Sequence, residues 1–255
     1  MSVVDSLPVW AVGLVVLAVL TLASRIGVSL RALTGNASQE DGGYILSAAL
    51  GLLALLIGFT FSLALNQYEM RRDLVLQEAN AIGTTYLRAE LAPDPFRSEL
   101  QTLVRRYVDV RLALADAGED AAAIARAEAQ AALLQRQMWD TTVVAIPHID
   151  PPVAGPLLTA AVNDTIDFAA SRKAALAERL PGSVVLALLA YAVISAGILG
   201  YVTRGNRRDA QISAFVLFVL VTLAITLVLD LDRPRTGSIV VSQAPLLDLK
   251  ASLKP

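Results

Sequence analysis

Four stretches of this chain contain no charged residue: 6–24, 42–68, 180–203 and 210–229. They are 19, 27, 24 and 20 residues long. A helix rises about 1.5 Å per residue, so each is long enough to cross a hydrocarbon core of about 30 Å. Lipid offers the backbone no water, and an α-helix satisfies its own peptide groups. Four membrane helices are the expected solution.

The charges are gathered elsewhere. Residues 69–179 hold 16 acids and 12 bases, a net charge of −4, and separate two hydrophobic pairs. The sequence therefore predicts an all-α membrane protein with four transmembrane helices and a helical extramembrane domain inserted between helices two and three. The expected divisions are 1–68 for helices one and two and 69–180 for the polar domain, into which helix two continues. Residues 181–230 hold helices three and four, and 231–255 form a tail. A mean hydropathy of +0.58 and a hydrophobic share of 55% fit that class. The chain has no cysteine, which excludes disulfides, thiolate metal sites and a cysteine nucleophile. Residues 1–5 carry no Lys or Arg and the first apolar run exceeds a usual signal-peptide core, so it reads as a retained helix.

Helix one is expected over about residues 7–24, with Trp10 as an interfacial anchor. A glycine-rich loop at 33–43 leads to helix two near Tyr44. From Asn66 to Leu91 the chain has no proline and only one glycine, Gly83, and Val75, Ala79, Ile82 and Tyr86 recur at helical spacing. One rod over 44–92, roughly 70 Å long at the standard rise, is predicted. Pro93 stops it, Asp94 fits an N-cap, and Pro95 fits the first helical position that follows. Leu100, Leu103, Val104, Tyr107, Val108 and Leu112 form the apolar face of the next helix, and Gly118 its stop. Further helices are expected over 120–139 and 156–180, with a proline-rich loop at 146–156 between them. Pro181-Gly182 leads into helix three, and 245–253 is long enough for one or two turns.

Orientation is not settled by charge. Basic residues near membrane ends number five on the short-loop side (Arg25, Arg31, Arg204, Arg207, Arg208) and seven opposite (Arg71, Arg72, Arg172, Lys173, Arg179, Arg233, Arg235).

Catalysis has little to rest on, and no enzyme, cofactor or metal site is expected. The single histidine, His148, sits in the proline-rich loop, without a partner for metal binding or a triad context. Asp164 and Asp167 read as solvated surface acids. Nothing points to a nucleic-acid partner. The expected partners are the lipid bilayer, further copies of the chain and inorganic ions.

Helix two carries the candidate residues. Ile57, Phe61 and Leu65 lie on one face; Leu55, Phe59, Ser62 and Asn66 make another. Rings of such side chains around a symmetry axis would form an apolar constriction of the kind that gates by dewetting. Small residues on this helix would let it pack closely against others. A second candidate is the charged boundary: Glu69, Arg71, Arg72 and Asp73 after helix two, and Asp230, Asp232, Arg233 and Arg235 after helix four. These charges either anchor helices at the headgroups or attract ions to a pore mouth.

Three strings resemble the bestrophin-like domain family of bacterial multi-pass membrane proteins. They are Phe59-Thr-Phe61-Ser62 with Asn66-x-Tyr68-x-x-Arg71-Arg72-Asp73, then Glu78-Ala-Asn80-Ala-Ile82-Gly83-Thr-x-Tyr86-Leu87-Arg88, and Asp230-Leu-Asp232-Arg233-Pro234-Arg235-x-Gly237. Bestrophins are pentameric ion channels whose long second helices line the pore. The resemblance thus implies a homo-oligomeric, pentameric channel of the bacterial inner membrane, with helix two on the axis and with polar domain and termini cytoplasmic. It also implies a neck at Leu55 and Phe59. The acidic calcium clasp of animal bestrophins has no counterpart here. The competing reading is a non-conducting scaffold or sensor whose helical domain binds a protein partner.

Overall fold

A computed structural model describes residues 8–34, 39–203 and 208–253. Among them every regular element is helical: α1 (Val9–Thr34), α2 (Gln39–Arg88), α3 (Phe96–Asp116), α4 (Ala121–Ala145), α5 (Gly155–Ala177), α6 (Gly182–Val202), α7 (Arg208–Leu231) and α8 (Ala244–Ser252). Short 3-10 turns follow α2 and link α4 to α5. Four helical segments are long and apolar enough to cross a membrane; they contain α1, α2, α6 and α7. The chain divides into two compact units, Met1–Gln67 with Arg179–Val240, and Tyr68–Glu178 with Val241–Pro255.

The first unit is the apolar one. Its core joins Val12, Val16 and Leu20 of α1 to Leu53 of α2, Leu188, Ala192 and Ala196 of α6, and Phe218 and Ile225 of α7. Helix α1 meets α6 most extensively, and glycine makes that approach possible. A Cβ at Gly200 would overlap the Ser24 carbonyl, and one at Gly27 would overlap the Gly197 carbonyl. Close backbone approach through small residues replaces the hydrophobic effect that lipid cannot supply.

The close packing expected of α2 is found instead between α1 and α6. A Cβ at Gly51 or Gly58 of α2 would meet nothing within 4 Å. Helix α1 also runs ten residues beyond the expected end at Ser24, to Thr34. Arg31, on that extension, donates to the Tyr201 and Val202 carbonyls at 2.9 and 2.5 Å. A cation thereby satisfies terminal carbonyls of α6, a favourable placement at the negative end of a helix. The turn-rich 33–43 segment is shorter than expected because α2 already begins at Gln39; Gly35, Asn36 and Ser38 lie outside the described residues.

The second unit is an amphipathic helical assembly. Its core takes Val75 and Ile82 from α2, Leu100, Val104 and Tyr107 from α3, Leu134 and Met138 from α4, Leu158 and Val162 from α5, and Leu246 from α8. Gly118 stops α3 with φ of +53°, the left-handed conformation glycine adopts freely. Asp120 caps α4, its Oδ1 accepting from the backbone N–H of Ala122 and Ala123. Asp94 does not cap α3: the N-cap position is Pro95, without a side-chain bond. Backbone bonds from Arg97 N–H to Pro93 O and from Glu99 N–H to Pro95 O start that helix instead. The tail contributes α8, with Lys250 paired to Asp109 at 2.7 Å.

Candidate functional site

Within the second unit, α2 and α5 are joined by a ladder of polar contacts. Arg71 donates from Nε to Ala175 O at 3.0 Å and from Nη2 to Glu178 O at 2.6 Å. Seven residues on, Glu78 binds Arg172 at 2.6 Å. Seven further, the hydroxyls of Thr85 and Thr165 bond at 2.8 Å, and Arg88 then reaches Leu157 O at 2.7 Å. The seven-residue step keeps one α2 face on one seam. Arg71 satisfies carbonyls at the end of α5 that the helix itself leaves open.

Glu78 is the centre of this seam. It is fully buried and sits between two arginines, Arg172 Nη1 and Arg111 Nε, each at 2.6 Å. The Arg111 approach is a charge contact rather than an aligned hydrogen bond. Arg172 also donates to Gln243 Oε1 at 2.5 Å, so α2, α3, α5 and the tail segment before α8 all meet here. Burial by itself would lower the Arg111 pKa, but the Glu78 carboxylate, joined by Tyr107 and Glu128, reverses this and raises it. The three side chains form a buried internal ion network. Among the described residues no group of three or more His, Asp or Glu is placed to hold a metal.

Beside it, burial pushes the Tyr107 phenol up to about 12; Arg111 opposes that shift and Glu78 adds to it. Gln135 Nε2 donates to the phenol oxygen at 2.9 Å. The folded protein holds this proton more tightly than the unfolded chain, so the associated stability is intact below an ordinary phenol pKa of about 10. It is lost as pH rises towards about 12. Unfolding curves between those values should therefore fall less steeply for Tyr107→Phe than for the native chain. Loss of the Gln135 bond should lower stability at neutral pH by about 1 kcal/mol.

The other candidates separate by exposure. Leu55, Phe59, Ser62 and Asn66 are exposed, whereas Ile57, Phe61 and Leu65 are half-buried and Ile57 packs on the first unit's core. The exposed set belongs to a longer run on the first unit's part of α2, beginning at Ala48 and Leu52. Glu69, Asp73, Leu76 and Asn80, in the second unit, keep the same alternation of three- and four-residue steps and are all exposed. Such steps hold one face of a helix. Phe59 is 62% exposed and Leu55 55%, so two large apolar side chains of this run have little cover within the chain.

The boundary charges do different work from one another. Arg72 is exposed and Arg71 buried on α5. Asp230 is 5% exposed, accepting from Ser238 N–H at 2.8 Å and Ile239 N–H at 3.2 Å. Asp232 accepts from Leu180 N–H at 2.8 Å and its carbonyl takes a bond from Arg179, which fixes the turn before α6. Arg233 is buried and Arg235 half-buried. A side chain at Gly237 would overlap Asp230. The third string of the sequence is thus a folded joint, in which both carboxylates accept backbone N–H groups.

Sequence reasoning alone does not single out Arg111 and Arg172 as partners of Glu78. A signal is present for the first, since Arg111 falls at the spacing of Leu100, Val104 and Tyr107, a charge on an apolar face. Its implication is a buried partner.

The fold defines an all-α, polytopic membrane protein with a helical domain between its second and third spans. The profile of the Bestrophin-like domain matches residues 9–246, and the chain belongs to that family. A crystal structure of a bacterial bestrophin homologue from Klebsiella pneumoniae, carrying a point mutation, is similar in fold. The TM-score is 0.67 at 14% identity, over 93% of this chain and 98% of that one. No curated protein matches the sequence.

Proposed function

We propose that copies of this chain assemble as a ring in the bacterial inner membrane, with α2 facing the axis, and conduct ions through it. One observation carries the proposal: α2 presents an exposed face that is uncharged and largely apolar from Ala48 to Asn66. Lipid alone would tolerate Leu55 and Phe59, but Ser62 and Asn66 on the same face suit water. Around an axis, Leu55 and Phe59 would form the narrow apolar neck and Ser62 and Asn66 the wetted segment beyond it. Five copies are proposed from the likeness to bestrophins, as is a cytoplasmic position for the helical domain and both termini. Asp230 and Arg233, buried in the α7 joint, are left out of the pore mouth.

Purified protein in planar bilayers should show single-channel currents, and in detergent should run as a symmetric ring by single-particle imaging. A monomer or dimer without conductance would favour the scaffold reading instead.

A further inference from the structure

Within the first unit, α1, α6 and α7 enclose a cavity of about 430 Å³ where α6 ends and α7 begins. Arg25, Thr203 and Ala210 line it. In the sequence these residues mark the limits of three of the uncharged stretches, so the cavity lies at the membrane boundary. Arg25 is the one charge in the lining. It is exposed, and among the described residues nothing pairs with its guanidinium. Arg31, further along the same helix, is by contrast spent on α6 carbonyls. Asp209, the acid at the start of α7, is exposed and outside the lining. Two hydroxyls of the wall are also open. Thr21 and Ser29 donate back to Leu17 O and Arg25 O of their own helix, but Ser24 and Thr203 make no such bond among the described residues. The wall therefore offers a guanidinium and two hydroxyls as donors, with no carboxylate to use them. Its other side is apolar. Phe215 and Phe218 line it, and Phe218 lies about 10 Å further along α7 than Gln211, towards the hydrocarbon.

We propose that this cavity binds an anionic phospholipid, with the phosphodiester on Arg25, Ser24 and Thr203 and the upper part of an acyl chain against Phe215 and Phe218. A phosphodiester presents acceptor oxygens and a negative charge, which is what a wall of unused donors requires. The planar guanidinium can meet two of those oxygens at once. A zwitterionic lipid would bring an ammonium group as well, and the lining has no acid to receive it. An arginine at a bare helix surface would simply snorkel to the headgroups of any lipid. Arg25 differs because three helices form walls around it, and basic pockets between membrane helices are a recurrent way of recognising anionic headgroups. The order of the walls also suits a lipid, polar at the boundary and aromatic deeper in. A soluble phosphate would leave the aromatic part unused. The site does not depend on whether the protein conducts ions.

Native mass spectrometry of the full-length protein in detergent, titrated with phosphatidylglycerol or with phosphatidylcholine of the same acyl chains, tests the site. The native chain should retain phosphatidylglycerol about tenfold more strongly, the scale of one charge-assisted hydrogen bond. Arg25→Gln, at an exposed position that folding does not need, should lose most of that preference. Arg208→Gln is the control for general surface charge, since Arg208 is exposed at the start of α7 but outside the lining; it should match the native chain. Ala214→Trp, which fills the cavity without changing its charge, should weaken retention of both lipids. Equal retention of the two lipids by the native chain would overturn the proposal. So would a preference that survives Arg25→Gln, or one that Arg208→Gln lowers equally. Inorganic phosphate added to the same samples separates the sources: displacement of the lipid at millimolar phosphate would assign the site to a soluble anion and overturn the lipid reading.

Discussion

Glu78→Gln is expected to destabilise the helical domain by about 3–5 kcal/mol, the range for removing one partner from a buried ion pair. The carboxylate lies between Arg111 and Arg172 with no exposed surface. A neutral amide leaves two guanidinium groups buried beside one another, and arginine does not escape by losing its proton. Thermal unfolding in detergent, followed by circular dichroism, should show a large drop in midpoint. The same physics predicts partial recovery when the charges are removed together. Glu78→Leu with Arg111→Met and Arg172→Met should be more stable than Glu78→Gln alone, because no uncompensated charge remains. A triple variant no more stable than the single one would show that the triad's hydrogen bonds, and not its charge balance, hold the four segments together.

Gly200→Ala has the second large effect. The added methyl group has no room, because the atom it meets is the Ser24 carbonyl oxygen of α1 and not the end of a flexible side chain. Separating α1 from α6 would loosen the first unit's most extensive helix pair and draw Arg31 away from the α6 carbonyls. A loss of about 3 kcal/mol is expected, the upper range for overpacking that backbone must absorb. Gly51→Ala is the matched control, since its Cβ would meet nothing within 4 Å. Helix propensity alone makes that change neutral to mildly stabilising. Melting temperatures of the two variants in one detergent should separate clearly.

Much of this architecture is legible in the amino-acid sequence. The four spans, the unbroken course of α2 to Arg88, the stop at Gly118 and the start of α4 at Asp120 each follow from local chemistry that tertiary contacts reinforce. Other features depend on neighbours distant in sequence. The extension of α1 to Thr34 has a partner in α6, through Arg31 and the Tyr201 and Val202 carbonyls. Nothing near Ser24 signals it. Asp94 has the side chain of an N-cap, yet α3 starts after Pro95 with backbone bonds alone. On α2, periodicity offers two faces of similar apolarity and has no means of ranking them. Burial ranks them, by packing Ile57 on the core and leaving Leu55 and Phe59 uncovered. The Glu78–Arg88 string carries a family resemblance in its residues alone. Two of its residues, Glu78 and Arg88, join the ladder to α5, and Arg172, the partner of Glu78, lies 94 residues away in the chain.

The central claim is that the exposed face of α2 lines a water-filled path, and the absence of native cysteine allows it to be tested one position at a time. Ser62→Cys in reconstituted protein, treated with a charged, thiol-specific reagent during recording, should lose most of its current within the reaction time. Ala64→Cys, on the opposite and fully buried side of the helix, should be unaffected. Current through Ser62→Cys that persists after complete modification, or block confined to Ala64→Cys, would contradict the account.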